Sequence, residues 1–264
     1  MGHTRLNKDL IQQTPVLFGE ADIIKTLQTL PGVSAGTAGL AGMYVRGGNG
    51  DDNLYMIEGN PLYQINHVGG LFSSFNAEAV KDVEFFKSAF PARYGGRLSS
   101  VIDVRTNDGD MRNYHGSLTI GLLTSRMHFE GPLWKDRTSF IISARRSYAD
   151  LIIKPFMDKD TKGGYYLYDI NTKLNHRFSD RDRLFFSFYH GKDHASFTNT
   201  SSYYFEEEKE TDTRERQVMA WGSTLGALRW NHIVSNRLFH NITLSYNRFR
   251  FNIKKQFHVR QQTP

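Results

Sequence analysis

Beyond Asn113 the chain alternates apolar and polar residues in runs of ten or more, and no other feature narrows its folding options as much. The clearest run is "YLYDINTKLNHRF". Tyr166, Tyr168, Ile170, Thr172, Leu174 and Phe178 fall on one side of an extended chain, and Asp169, Asn171, Lys173, Asn175 and Arg177 on the other. "LFHNITLSYNRFRF" repeats the pattern more weakly, with Ile242, Leu244 and Tyr246 opposite Asn241, Thr243, Ser245 and Asn247. Six such runs are predicted, at 115–130, 137–147, 165–178, 183–197, 216–233 and 237–252. "LWKDR", "SDRD" and "VSNR" join them as short turns, whereas Tyr148 to Gly164 and Thr198 to Glu215 are long polar excursions. Long strands joined alternately by short turns and long loops favour an up-and-down barrel of the outer-membrane type. The alternative is a soluble ligand-binding module with a β-sandwich second half, whose strands average about five or six residues. In the barrel reading the polar face lines a wet lumen and the aromatic face meets lipid.

The first half has a different grammar of short helices, short strands and tight turns. "EADIIKTLQTLPG" predicts a helix with Ile23, Leu27 and Leu30 on one face, stopped by Pro31-Gly32. "FNAEAVKDVEFFKS" offers Asn76 as an N-cap, a brief helix through Asp82 and then the strand "VEFFK". "SSVIDVRT" alternates again after the turn "RYGGR". The expected organisation is a leader or linker over 1–14, a compact α+β unit over 15–110, and antiparallel barrel strands over 111–264.

Charge and composition remove several other classes. The net charge is +6, but the basic residues are scattered among carboxylates, as in "NTKLNHRFSDRDRLFF". That spacing reads as solvated faces and turns, not as a nucleic-acid patch. There is no cysteine, so no disulfide framework or thiolate metal site can be argued. No run of about 18 apolar residues supplies a membrane-spanning helix, a test that a closed barrel escapes. The opening "MGHTRLNKDLIQQTP" lacks the apolar centre of a secretory signal, so a signal peptide, if used, is not in this sequence.

Candidate chemistry gives way to simpler readings. "GTAGLAG" (Gly36 to Gly42) and "RGGNG" (Arg46 to Gly50) precede a strand, whereas a phosphate loop opens a helix. "NGDDN" lacks the spacing and final glutamate of a calcium loop. His190 and His194 lie about 13 Å apart along a strand, too far for one metal. No Gly-x-Ser-x-Gly elbow presents a nucleophile. A carbohydrate-active enzyme, suggested by "GGYYLYD" and "SSYYFEEE", needs two carboxylates across a cleft, and Glu206, Glu207 and Glu208 read as an exposed charged run. No enzyme, cofactor or metal site is expected. Tyr165, Tyr166, Tyr203 and Tyr204 fit an interfacial aromatic belt better than ligand stacking.

Read in order, "LQTLPGV", "YVRGGNGDDNLYMIEGNPLY" and "FNAEAVKDVEFFKSAFPARYGGRLSSVIDVRT", followed by long amphipathic strands, resemble the plug domain and first barrel strands of a TonB-dependent outer-membrane receptor of Bacteroidetes-like type. The resemblance implies a plug seated in a 22-stranded barrel in the bacterial outer membrane. It also implies import of a scarce or bulky solute (a siderophore, a cobalamin, an oligosaccharide or a peptide), energised by TonB, ExbB and ExbD, with a surface lipoprotein as a further candidate partner. About six strands cannot close such a wall, so the chain is expected to be the N-terminal part of a receptor and, alone, not to transport.

The plug motifs map onto Arg46, Gly47 and Gly48 and onto Arg93, Tyr94, Gly95, Gly96 and Arg97. The three arginines are candidates either to pair with carboxylates of the barrel wall or to cap carbonyls within the plug. Candidate solute contacts are Asn49, Asp51, Asp52, Tyr63 and His67. Two departures stand out: the family's usual Ile-Asp-Gly is Ile57, Glu58 and Gly59 here, and no TonB box is recognisable before Leu10.

Overall fold

The computed structural model describes residues 2–13, 21–35, 42–67, 70–157, 161–205 and 209–262. The Gly36–Gly42 run falls almost wholly outside these residues, and Glu206, Glu207 and Glu208 fall wholly outside them.

The first hundred residues build a small sheet covered by two helices. In chain order its elements are β1 (His3–Asn7), α1 (Lys8–Gln13), α2 (Ile23–Gln28), β2 (Val33–Ala35), β3 (Met43–Val45), β4 (Asn53–Ile57), β5 (Asn60–Pro61), β6 (Asn66–His67), β7 (Phe72–Ser73), β8 (Val80–Phe86) and β9 (Ser100–Thr106). The sheet order is β1-β8-β9-β4-β5, antiparallel except for the β4–β9 pair, while β2–β3 and β6–β7 form separate ribbons. Asp22 caps α2 by accepting the N–H groups of Ile24 (2.8 Å) and Lys25 (3.1 Å). Beyond the helix, Gly32 takes the left-handed backbone (φ +78°) that a residue with a side chain resists. Ile23 and Leu27 then lie on Leu6, Ile11, Val83 and Phe85, all fully buried, each contributing about 1.5–3 kcal/mol by leaving water.

Two expectations for this unit change. Residues 3–7, expected in a leader, form an edge strand with His3 opposite Phe86 and Asn7 opposite Asp82, because Leu6 projects into the core. Residues 77–79, expected in a helix, make only a turn in which Asn76 accepts the N–H of Glu78 (3.1 Å). The strand already begins at Val80, since Val80, Val83 and Phe85 bury against the sheet's partners in a way a short helix could not match.

The second half is a single antiparallel sheet of seven consecutive hairpin-linked strands: β10 (His115–Ile120), β11 (Thr124–Trp134), β12 (Thr138–Ser147), β13 (Thr161–Arg177), β14 (Asp182–Phe205), β15 (Lys209–Ser235) and β16 (Leu238–Gln262). Six runs were expected; the first divides at Gly121–Leu123, where Gly121 donates to the Thr124 carbonyl (2.9 Å) and Tyr148 donates to that of Leu123 (3.1 Å). This hairpin carries two leucines in place of the usual Asn, Asp or Pro, so the alternation passes over it without a polar signal.

The sheet curves around the small domain with its polar face inward. Asp169, Asn171, Lys173 and Asn175 are all buried, whereas Ile170 and Leu174 are exposed at 38% and 37%. The polar side that the sequence assigned to a wet lumen is thus occupied by protein. Tyr189 and Leu225 of the wall join the same apolar cluster as Ile57, Val80 and Val104 of the inner domain, which ties the two units together.

Candidate functional site

The glycine loop after Arg46 is a closed turn. Arg46 and Gly47 both have positive φ (+50° and +81°), and Gly48 donates to the Val45 carbonyl at 3.0 Å. Asp52 accepts the Asn49 N–H (2.9 Å), and its own carbonyl takes the N–H groups of Leu98 (3.2 Å) and Ser99 (2.9 Å). The amides that would cradle a phosphate at Gly48 and Asp52 are therefore committed to the turn. Asn49 and Asp51 stay on the surface, and Tyr63, on a neighbouring loop, is 61% exposed.

The three motif arginines make local contacts. Arg46 donates to Ser88 Oγ (2.7 Å). Arg93 donates to the Tyr94 hydroxyl (2.7 Å), lies over its ring and sits 3.9 Å from Glu84. Arg97 donates to the Gly96 carbonyl (3.4 Å), and Gly96 has φ +80° with Gly95 beside it.

Beside the shared apolar cluster, the domain meets the wall through charged pairs, among them the Arg126–Glu78 pair (3.0 Å) and two buried polar clusters. In the first, His67 is fully buried between two wall carboxylates, with Nε2 2.8 Å from Asp169 and Nδ1 2.6 Å from Asp193. Asp169 also takes the guanidinium of Arg145 (Nε, 2.8 Å), which in turn donates to the Ser73 carbonyl (2.7 Å). Gln64 and Tyr165 both donate to Asp193. His67, expected as a solute contact, thus has no face toward solvent; the alternation "INHVGG" gave no sign that the wall would cover it.

In the second cluster, Lys173 of the wall reaches Glu58 at 2.7 Å and Asp108 at 2.8 Å. Arg229 approaches the other Glu58 oxygen (3.3 Å), and the Thr106 N–H and hydroxyl donate to the first at 2.9 and 2.8 Å. Glu58 holds φ +53° in the turn between β4 and β5, which aims its side chain across the seam. Here the departure from Ile-Asp-Gly matters, since the extra methylene carries the carboxylate toward the wall. A cavity of about 630 Å³ opens beside this cluster, bordered by Glu58, Asp103 and Asp108 and by the cations of Lys81, Arg93, Arg105, Lys173 and Arg229. Of the motif residues, Arg93 and Tyr94 border it.

The electrostatics follow from burial set against pairing. Burial opposes an imidazolium at His67, but Asp169 and Asp193 outweigh it and raise its pKa to about 9, so both ring nitrogens donate at neutral pH. Burial likewise opposes charge on Glu58 and Asp108. Lys173 reverses it at both, helped by Arg229 at Glu58 and by Lys81 at Asp108, and both carboxyls lie below their ordinary range. At Asp22 and Asp103 burial outweighs the backbone N–H groups they accept and the more distant guanidiniums of Arg145 and Arg105, and pushes both up. The inner domain is therefore keyed to the wall by ion pairs of both senses.

Sequence reasoning missed Glu58, Asp108, Arg145 and Asp193 as seam residues. It did put Asp169 and Lys173 on the polar face of one strand, which was the available signal.

Comparison with known proteins agrees with this geometry. Residues 5–101 match the family model for the TonB-dependent receptor plug domain. Among solved structures, the siderophore receptor PirA from Acinetobacter baumannii is 16% identical with a TM-score of 0.56, covering 95% of this chain and 48% of its own. A mutant of the ferric enterobactin receptor PfeA from Pseudomonas aeruginosa gives 13% identity and a TM-score of 0.54 over 95% of this chain and 49% of its own. The outer membrane transporter YddB from Escherichia coli gives 11% and 0.53 over 94% and 48%. These matches are to receptors and transporters, and the chain spans about half their length.

Proposed function

We propose that this chain, which carries the plug domain and first wall strands of a TonB-dependent receptor, serves in the outer membrane in the import of a scarce or bulky solute. The observation that carries the proposal is the seam. A folded plug sits on the polar face of a sheet whose other face is largely apolar, and buried charged pairs hold it there beside a small apolar contact at Tyr189 and Leu225. Such a joint can be strong at rest and still release, because water can take over each charge as the plug is pulled. The energy for the pull would come from TonB with ExbB and ExbD. A surface lipoprotein is a further partner in this reading.

The solute-facing candidates are Asn49, Asp51 and Tyr63, which are exposed, with Asp52 positioning the turn beneath them. Arg46, Gly47, Gly48, Arg93, Tyr94, Gly95, Gly96 and Arg97 are then plug-forming residues, the arginines fastening turns within it. Among the described residues the seven strands leave both edges open and enclose no pore, so import needs wall strands beyond these.

The test is uptake in cells whose copy of the gene is deleted and then restored. Iron-loaded siderophores, cobalamin, an oligosaccharide and a peptide, each radiolabelled, are offered in turn. The reading expects one of them to enter only with the intact gene and to stop when TonB is removed. Uptake indifferent to TonB, or a protein found in the soluble fraction, would contradict it.

A further inference from the structure

At the short-turn end of the wall, three polar side chains stand in one cross-strand row that takes no part in the plug seam. Asp182 opens β14, His232 lies opposite it on β15, and His240 lies opposite His232 on β16. Directly opposed residues of an antiparallel pair hold their Cβ atoms about 4.5–5.5 Å apart, so the two imidazoles rise side by side. Their ring centroids are 6.4 Å apart and their planes 21° from parallel. Two residues further along, the same face carries Trp230 opposite Ile242, and then Leu228 opposite Leu244. The histidines therefore sit at the foot of the outward apolar band, beside the turns, and His240 is exposed.

The row is set up for ligation. Asp182 accepts from His232 Nδ1 at 2.6 Å, and its other oxygen takes the Ser179 hydroxyl at 3.0 Å, which fixes the carboxylate against its turn. An ionised carboxylate only accepts, so a neutral His232 carries its proton on Nδ1 and its lone pair on Nε2. A metal-bound histidine is held in this way, its second nitrogen donating to a carboxylate that orients the ring and raises its basicity. His240 makes no hydrogen bond or ion pair among the described residues, so its nitrogens are uncommitted. His67 and His190, by contrast, have both ring nitrogens engaged by neighbours.

We infer that His232 and His240 ligate a divalent zinc ion, with Asp182 as the positioning residue for His232. No group of three or more ligating side chains converges among the described residues, so the protein supplies two ligands and water completes the tetrahedron. An ion about 2.0–2.1 Å from one nitrogen of each ring sets the centroids roughly 5 Å apart, so the pair closes by roughly 1 Å, a movement open to the exposed His240. The bound ion would clip the ends of β15 and β16 together and, through Asp182, engage β14. The site stands on the fold alone; only its placement on the periplasmic side comes from the outer-membrane reading above.

The test is isothermal titration of the intact, metal-stripped protein with zinc chloride. His232→Gln and His240→Gln should each weaken zinc binding at least tenfold, and Asp182→Asn about tenfold. His240→Cys should bind zinc again, because a thiolate ligates zinc as an imidazole does, whereas a histidine that merely packs would gain nothing from the change. H190Q/H194Q, which removes the outward histidines far along β14, should leave zinc binding unaltered. Trp230, its ring centroid 5.3 Å from that of His232, gives a local readout: cobalt chloride should quench the part of the emission that Trp230→Phe removes. Zinc binding that is absent from the native protein, unchanged in His232→Gln and His240→Gln, lost equally in H190Q/H194Q or not restored by His240→Cys would overturn the inference, as would Trp230 emission indifferent to cobalt. Each of these outcomes bears on the site alone. A protein that is monodisperse without detergent would instead overturn the membrane reading and leave the zinc titration to decide the site.

Discussion

Lys173, on the inward face of a wall strand, lies 2.7 Å from Glu58 at a plug turn 115 residues earlier, and both are nearly sealed from solvent. The pair also engages Asp108, so one ammonium satisfies two plug carboxylates. Replacing it by Lys173→Met should leave both uncompensated and cost about 3–5 kcal/mol, the usual penalty for breaking one side of a buried pair. Urea-induced release of the plug, followed by protease protection of residues 3–106, measures this. An unchanged midpoint would mean the pair does not hold the plug.

Glu58→Asp restores the residue that the resemblance leads one to expect. Aspartate tolerates positive φ, so the turn should persist, but its carboxylate should fall short of Lys173. The expected loss is smaller than for Lys173→Met, about 1–3 kcal/mol. In the double variant the two effects should not add, because the second change removes a partner already lost.

The pH dependence has a definite sign. His67 has a folded pKa raised from 6.5 to about 9, so its contribution is complete below about pH 6.5 and lost as pH climbs through about 9, amounting to roughly 3 kcal/mol. Glu58 is depressed, so its contribution is present above its ordinary pKa of 4.5 and lost as pH falls below it. Plug docking should therefore be firmest between these limits. His67→Gln should flatten the alkaline limb and leave the acid limb in place; a slope that survives it would assign the alkaline loss to other groups.

The glycine loop offers an internal contrast. A Cβ on Gly48 would come within 2.7 Å of the Ser99 Cβ and crowd the 2.8 Å bond from Ser99 to Val45, whereas one on Gly50 would meet open space. Gly48→Ala should cost about 1–3 kcal/mol and Gly50→Ala less than about 0.5 kcal/mol. Thermal unfolding of the two variants decides between this turn and a loop free to adapt.

Much of the architecture can be read from the chain, and the reasons for the rest are specific. Alternation assigns Ile170 and Leu174 to one face and Asp169 and Lys173 to the other because a strand has only two faces. It cannot say which plug residue meets Lys173, since that depends on how two separately folded units dock. The turn at Asn76 shows the complementary limit: local capping chemistry suggests a helix, but burial of Val80, Val83 and Phe85 extends the strand instead. The Gly121–Leu123 hairpin escapes because its residues are apolar. His67 resembles a loop histidine until the wall brings two carboxylates to it.

The central claim is that β10 to β16 form a lipid-facing wall with the plug on their inner side, and residue-by-residue accessibility tests it most directly. The chain has no cysteine, so single nitroxide labels can be placed without altering a native thiol. In liposomes containing the intact protein, labels at Leu174, Ile242 and Leu244 should collide with dissolved oxygen and be shielded from a water-soluble nickel complex. Labels at Thr243 and Ser245 should do the reverse. Loss of this two-residue alternation, with every label open to water, would contradict a membrane wall.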